Sequence, residues 1–221
     1  MRDGAWWWKP TADLLRDGIG TVTRSVALPS CGETAGPASG GLVADAAALR
    51  LALDQVEAAI VVGQSYGGTV IAEAGHHPAV RKLLYISSYL PQVGQSQGDI
   101  MSDEPDPVRV KLGDGGLLEL EGEDVSSFGR RFLHDTDAAI RSEAWDRVTA
   151  QSTAAFTTPI SRAGWHGVDS TYIVCQEDRR TSVVLQRFHA ARARRFVELP
   201  TGHHPVVSRP DLVIDQNELL L

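Results

Sequence analysis

Ser65 stands in Gly63-Gln64-Ser65-Tyr66-Gly67-Gly68, directly after the apolar, β-branched run Ala58-Ala59-Ile60-Val61-Val62 and before the Ala-rich stretch Thr69 to Gly75. A strand, a sharp turn and a helix form the setting in which a serine becomes a nucleophile. The turn exposes the hydroxyl at the edge of a sheet, at a helix N-terminus whose dipole favours the negative charge that develops during attack on a carbonyl. So tight a turn strains the serine backbone, and the flanking glycines Gly63 and Gly67 leave room for close backbone contact. In a chain with 21 glycines a bare Gly-x-Ser-x-Gly is weak, and its competing reading is a flexible loop. The strand before Ser65 and the small residues after it favour the nucleophile.

A serine hydroxyl at neutral pH needs a base within hydrogen-bond reach, itself oriented by a carboxylate. In sheets that carry such an elbow the partners come later in the chain, acid first and histidine second, each on a loop after a strand. Two loops fit. Thr171-Tyr172-Ile173-Val174-Cys175 leads into Gln176-Glu177-Asp178-Arg179, and Phe196-Val197-Glu198-Leu199 leads into Pro200-Thr201-Gly202-His203-His204-Pro205. Glu177 and Asp178 both stand open as the acid, with Asp178 favoured because the longer loop reach suits a side chain turned back over the strand end. His203 is favoured over His204, which precedes a proline and has a restricted backbone. His76, His77, His134, His166 and His189 lack the strand-end context and read as surface or packing residues. Neighbouring histidines point apart rather than chelate, so neither His76-His77 nor His203-His204 predicts a metal site. No phosphate-binding glycine fingerprint follows the first strand.

The elements that position these residues can be read in order. Pro10 to Asp17 predicts a short helix with Leu14 and Leu15 inward, preceded by Trp6-Trp7-Trp8, which must pack under something. Thr21 to Leu28 predicts a strand, Ser30 to Gly41 a loop, and Leu42 to Val56 a helix with Ala46, Leu49, Leu53 and Val56 inward. The elbow strand and helix follow, then a buried strand over Lys82 to Ser87. Strand and helix alternating at this spacing predict parallel βαβ units, hence an α/β fold with a mostly parallel sheet and helices on both faces. From Pro91 the pattern breaks into a polar loop (Gln92 to Pro107), a hairpin (Val108 to Glu121) and two helices (Ser126 to Leu133, Thr136 to Ala150). This block, 91–160, reads as an inserted cap, and 1–90 with 161–221 as one core domain. Phe128, Phe132, Trp145 and Phe156 read mainly as the cap's own small core, with pocket lining as the other reading. The alternation resumes at Ser170 to Cys175, continues through a helix at Ser182 to Ala193 and a strand at Arg195 to Leu199, and ends in a helix from Ser208 to Leu221.

Composition narrows the function classes. A chain of 221 residues suits one domain with a core large enough to need no staple. A net charge of −7 without any long Lys/Arg run argues against nucleic acid, and Arg192, Arg194 and Arg195 read as a solvated face. Two cysteines make no disulfide framework, and Cys175 reads as a buried thiol. The absence of a signal-like start or a membrane-length apolar segment predicts a cytoplasmic protein with no membrane partner. Oligomeric state is not encoded legibly.

With these motifs in place, the chain resembles the α/β-hydrolase superfamily, most closely the short branch of methylesterases, hydroxynitrile lyases and their bacterial relatives. The resemblance runs over nearly the whole chain: Gly4-Ala5-Trp6-Trp7-Trp8, Leu28-Pro29-Ser30, Gly63-Gln64-Ser65-Tyr66-Gly67-Gly68, Tyr89-Leu90-Pro91, Cys175-Gln176-Glu177-Asp178-Arg179 and Gly202-His203-His204-Pro205. It implies an α/β-hydrolase fold with Ser65 as nucleophile, Asp178 as acid, His203 as base, the Tyr66 backbone N–H as an oxyanion donor, and no cofactor. Two departures stand out. Relatives begin with an apolar strand and a loop that supplies the second oxyanion donor, whereas this chain starts at Met1-Arg2-Asp3, with only Met1 or Arg2 near that position. A start assigned too far downstream, or a truncated and weakened protein, is the expectation. After Asp178, Arg179-Arg180-Thr181-Ser182 replaces a more apolar, proline-containing stretch.

Three functions follow in order of preference. The first is a serine hydrolase that cleaves a small ester. The second is a truncated, non-catalytic or ligand-binding relative. The third is a C–C lyase of the hydroxynitrile type, for which Lys111 is the only lysine in the cap.

Overall fold

A computed structural model of the protein describes residues 5–31 and 40–216. The chain opens with α1 (Ala5–Ile19) and α2 (Leu42–Leu53), then β1 (Ala59–Gln64), α3 (Tyr66–Ala74) and β2 (Val80–Ile86). Between β2 and the next long strand come α4 (Gln97–Met101), β3 (Val110–Leu112), β4 (Leu117–Leu120), α5 (Val125–Phe132), α6 (Ala138–Asp146), β5 (Gln151–Ser152) and α7 (Ala154–Thr157). The chain finishes with β6 (Asp169–Cys175), α8 (Val183–Ala190), β7 (Arg195–Leu199), α9 (Pro205–Ser208) and α10 (Pro210–Ile214).

Four of these strands form one sheet in the order β1-β2-β6-β7, every neighbouring pair parallel. Parallel strands linked by helical crossovers need cover on both faces, and the alternation of side chains supplies it. Leu83, Tyr85, Tyr172 and Val174 point into one apolar cluster with Leu42, Leu49 and Leu53 of α2 and Val70 and Ile71 of α3. The residues between them, Leu84, Ile86, Ile173 and Cys175, point into a second cluster with Trp7 of α1, Phe128 and Phe132 of α5 and Val206 of α9. The sequence-predicted α/β architecture, with helices on both faces, is therefore what the chain adopts. The remaining strands form a small antiparallel sheet, β3-β4-β5.

Several local expectations need correction. Thr21 to Leu28 forms no strand, and Val22 is 95% exposed. Its β-rich composition reflects a preference for packing on a pleated surface, and among the described residues no strand pairs with it. The first helix starts at Ala5 rather than Pro10 and carries Pro10 inside. Burial of Trp7 outweighs the usual proline penalty, and Trp7 and Thr11, one turn apart, face inward while Leu14 is 44% exposed. The helix predicted from Ser208 starts at Pro210 as α10, because Ser208 closes α9 and Arg209, which precedes Pro210, is held outside the helical region (φ −142°, ψ 58°). Residues 217–221 lie outside the described residues, as does most of the predicted loop after Ser30. α4 sits inside the stretch read as loop, nucleated by a capping box between Ser96 and Asp99.

The aromatic residues of the segment between β2 and β6 do not form a core of their own. Phe128 and Phe132, stacked 4.8 Å apart, complete the second face of the main sheet, and Phe156 joins the first. Phe128→Ala is expected to lower the stability of the whole protein by about 3–5 kcal/mol. Urea unfolding should show this as a lower midpoint in a single transition.

Candidate active site

In parallel sheets, functional groups gather beyond the carboxyl ends of the strands. Ser65 follows β1, Ser87 follows β2, Asp178 follows β6 and His203 follows β7, so four adjacent strand ends each contribute one polar residue.

Ser65 is the N-cap of α3 and holds φ 52°, ψ −125°, a left-handed conformation that costs a non-glycine residue about 1–3 kcal/mol. The surroundings over-determine it. The Ser65 N–H donates to the Ile86 carbonyl at 3.1 Å, and its carbonyl accepts from the Gly68 N–H at 3.0 Å and the Ser88 hydroxyl at 2.6 Å. Gly63 is required here, because a Cβ on it would lie 2.5 Å from the Gly67 carbonyl oxygen. The second indispensable glycine is Gly68, whose Cβ would meet the Ser88 hydroxyl at 1.8 Å, whereas one on Gly67 would meet open space. The sequence expectation that Gly67 provides close approach is thus corrected by one residue. Tyr66 opens α3, so its N–H has no acceptor within the helix. Its phenol donates at 2.6 Å to Asp45, which also accepts the Ser30 N–H at 2.8 Å. Burial, and then the Asp45 carboxylate, push the phenol far above its ordinary range.

Asp178, not Glu177, meets a histidine, and that histidine is His203. His203 Nδ1 lies 2.8 Å from Asp178 Oδ2, and both side chains are almost wholly buried. A carboxylate only accepts, so Nδ1 carries the proton. The Ser87 hydroxyl lies 2.9 Å from the same nitrogen and donates to Asp178 Oδ2. Gln186 Nε2 donates to Oδ2 at 2.9 Å, while the Arg180 and Thr181 N–H groups donate to Oδ1 at 2.7 and 3.0 Å. Burial pushes the Asp178 carboxyl upward. The charge of His203 and hydrogen bonds from His203, Ser87 and Thr181 outweigh that and hold it below its ordinary 3.8. Glu177 is exposed, and its backbone N–H bonds the Thr201 carbonyl at 3.0 Å.

His204 turns away from this network and packs against Trp7 with the rings tilted by 32°, 4.7 Å between centroids. The His203 loop is tied back to the elbow by Gln64, whose Nε2 donates to the His203 carbonyl at 2.8 Å. Phe132 meets the His203 ring edge-on at 5.9 Å. Ser87, Gln186 and Gln64 were not singled out from sequence. Ser87 was within reach, since it ends a predicted strand as the other site residues do, and its φ of 42° marks a second strained position.

The unusual stretch after Asp178 has a physical explanation. Arg180 is buried, lies 4.0 Å from Glu104 and donates at 3.3 Å to the Tyr89 hydroxyl, which donates to Glu104 at 2.7 Å. Glu104 also accepts the Ser182 N–H at 3.0 Å. The remaining histidines behave mostly as expected. His189 is buried beside Leu90 and pushed down to about 3 by desolvation and then by Arg192. His134 is the exception and reaches the acid loop, its Nε2 2.8 Å from the Glu177 carbonyl. Lys111 pairs with Glu119 at 3.2 Å on the exposed β3-β4 hairpin. Met1 and Arg2, the sequence's options for the second oxyanion position, lie outside the described residues. Among the described residues no helix is long and apolar enough to cross a membrane.

The fold and this arrangement define the class, and comparison with known proteins agrees. The model of the alpha/beta hydrolase family matches residues 3–216, and the chain belongs to that family. It is 26% identical over 167 residues to the probable hydrolase R7 of a Phoma species, a match covering 71% of this chain and 67% of R7. Solved structures share its fold at lower identity. A pyrethroid hydrolase from Sphingobium faniae superposes with a TM-score of 0.80 at 18% identity, over 99% of this chain and 92% of that one. The methylesterase MES16 from Arabidopsis gives 0.81 at 16% identity, over 98% and 93%.

Two outcomes follow from the geometry. Gly63→Ala should disrupt the elbow, lowering the thermal midpoint and the reactivity of Ser65, while Gly67→Ala should leave both within experimental scatter. Because the folded Asp178 carboxyl lies below its unfolded value of 3.8, its contribution to stability is complete above that value and disappears as pH falls through the folded one. Acid unfolding of Asp178→Asn should therefore show a shallower loss of stability below about pH 4 than the wild type.

Proposed function

We propose that the protein is a serine hydrolase of carboxylesterase type that cleaves a small ester through Ser65, His203 and Asp178. The observation that carries this reading is the buried Asp178–His203 pair, whose histidine loop Gln64 ties to the strained elbow of Ser65. His203, with Nδ1 occupied by Asp178, uses Nε2 to take the Ser65 proton as Oγ attacks the ester carbonyl. The negative oxygen so formed is stabilised by the Tyr66 N–H at the start of α3. His203 then returns the proton to the departing alcohol, leaving Ser65 acylated. Water, deprotonated by His203, attacks the acyl group and releases the carboxylic acid and the free serine. Nucleophile, base, acid and oxyanion donor all belong to the chain, and the reaction so written calls for no cofactor.

The names of the relatives support a hydrolytic reaction, and the structural neighbours include an esterase. We read 91–160 as a cap over the substrate pocket, with 1–90 and 161–221 as the core. The two ends of that segment hydrogen-bond to each other, Gly94 N–H to the Ile160 carbonyl and Ile160 N–H to the Gln95 carbonyl, each at 3.0 Å. The segment between β2 and β6 also carries Glu104, which pairs with the acid loop.

Ser65→Ala should reduce hydrolysis of p-nitrophenyl acetate by about 10⁴-fold or more while the thermal midpoint stays at or above that of the wild type. Wild-type turnover in that variant would exclude Ser65 as the nucleophile.

A further inference from the structure

The turn joining α5 to α6 touches both loops of the candidate site. His134 Nε2 donates to the Glu177 carbonyl at 2.8 Å, one residue before Asp178. Its neighbour Asp135 accepts the Gly202 N–H on Oδ2 at 2.8 Å, one residue before His203. The same oxygen accepts the Ser208 hydroxyl at 2.7 Å, at the end of α9. Two consecutive residues thus hold the backbone immediately upstream of each member of the Asp178–His203 pair.

The turn is itself braced. The Arg141 guanidinium donates to three of its carbonyls, at Leu133 (3.1 Å), His134 (3.0 Å) and Thr136. The fit against the histidine loop is close, because a Cβ on Gly202 would lie 2.7 Å from Asp135 Oδ1 and 3.0 Å from Oδ2. Gly202 is therefore small because the carboxylate occupies the space a side chain would fill. The two loops also bond each other directly through Glu177 N–H and the Thr201 carbonyl at 3.0 Å, so the turn braces a pair that is already in register.

We propose that His134 and Asp135 form a clamp that sets the spacing of the acid and histidine loops, which makes Asp135 a positioning residue for His203. This rests on the hydrolase reading above for its catalytic meaning, though the geometry it concerns is that of the His203–Asp178 hydrogen bond. Asp135 Oδ1 takes no hydrogen bond among the described residues, so an amide nitrogen in its place breaks none. Asparagine can supply the acceptor that Gly202 and Ser208 need, and alanine cannot.

The test uses the full chain and two readouts: the downfield proton NMR signal of His203 Nδ1–H, assigned by its loss in Asp178→Ala, and steady-state hydrolysis of p-nitrophenyl acetate. Asp135→Ala should weaken or abolish the signal and lower kcat by about 10- to 100-fold with KM within about twofold, since small displacements of a catalytic group cost rates of this order. Asp135→Asn should restore signal and kcat to near the wild type, a rescue that general destabilisation would not give. The clamp is overturned if Asp135→Ala keeps both at wild-type values, or if alanine and asparagine lose them equally. Should Asp135→Ala fail to fold, His134→Ala carries the same comparison, with an altered signal supporting the clamp and an unaltered one overturning it. If the wild type shows the signal but cleaves no ester, the hydrolase reading fails, and the NMR comparison alone still decides the clamp.

Discussion

Removing a carboxylate from water costs several kcal/mol unless its lone pairs are answered. The Asp178 side chain is wholly buried beyond the end of β6 and is answered by five donors from four parts of the chain: His203, Ser87 after β2, Gln186 of α8, and two N–H groups of its own loop. Much of the local structure serves that set of bonds. Gln186 is itself fixed because its Oε1 accepts the Cys175 N–H at 2.9 Å. Ser87 accepts a strained backbone that brings its hydroxyl between Asp178 and His203. Such a network is strong when complete and costly when one member is lost, which concentrates the sensitivity of the site on a few side chains.

Arg180 shows how the same region keeps two buried charges apart. Its backbone N–H serves Asp178, while its guanidinium turns to Glu104 and Tyr89. A guanidinium on Asp178 would satisfy the carboxylate permanently and leave little of its charge to support a protonated His203. With Arg180 engaged elsewhere, the imidazole is the carboxylate's charge partner among the described residues. The result also joins the segment between β2 and β6 to the acid loop, so that segment and site share a boundary.

The parts of the site that were legible in the sequence are those that topology enforces. A parallel sheet brings its strand ends to one edge, and strands are visible as apolar runs, so the residues following them at Ser65, Asp178 and His203 could be named. Asp178 and His203 are the side chains that meet. Glu177 points outward and His204 packs on Trp7. The rest of the network depends on tertiary approach rather than spacing. Gln186 lies within a helix and Gln64 within a strand, and nothing local distinguishes them from surface amides. His134 and Asp135 belong to a turn whose partners are 43 and 67 residues away in sequence. The strand misread at Thr21 to Leu28 has the reverse cause, since its composition was suitable and its partner was missing among the described residues.

The central claim is that Ser65 is an activated nucleophile, and covalent labelling tests it without a guess about substrate. The wild-type protein would be treated with a fluorophosphonate probe and the labelled peptide mapped by mass spectrometry. A single modification on Ser65 is expected, lost when the protein is first unfolded and lost in Asp178→Ala at neutral pH over the same time. A folded protein that takes no label, or takes it at another residue, would contradict the account and leave the fold as a scaffold for binding.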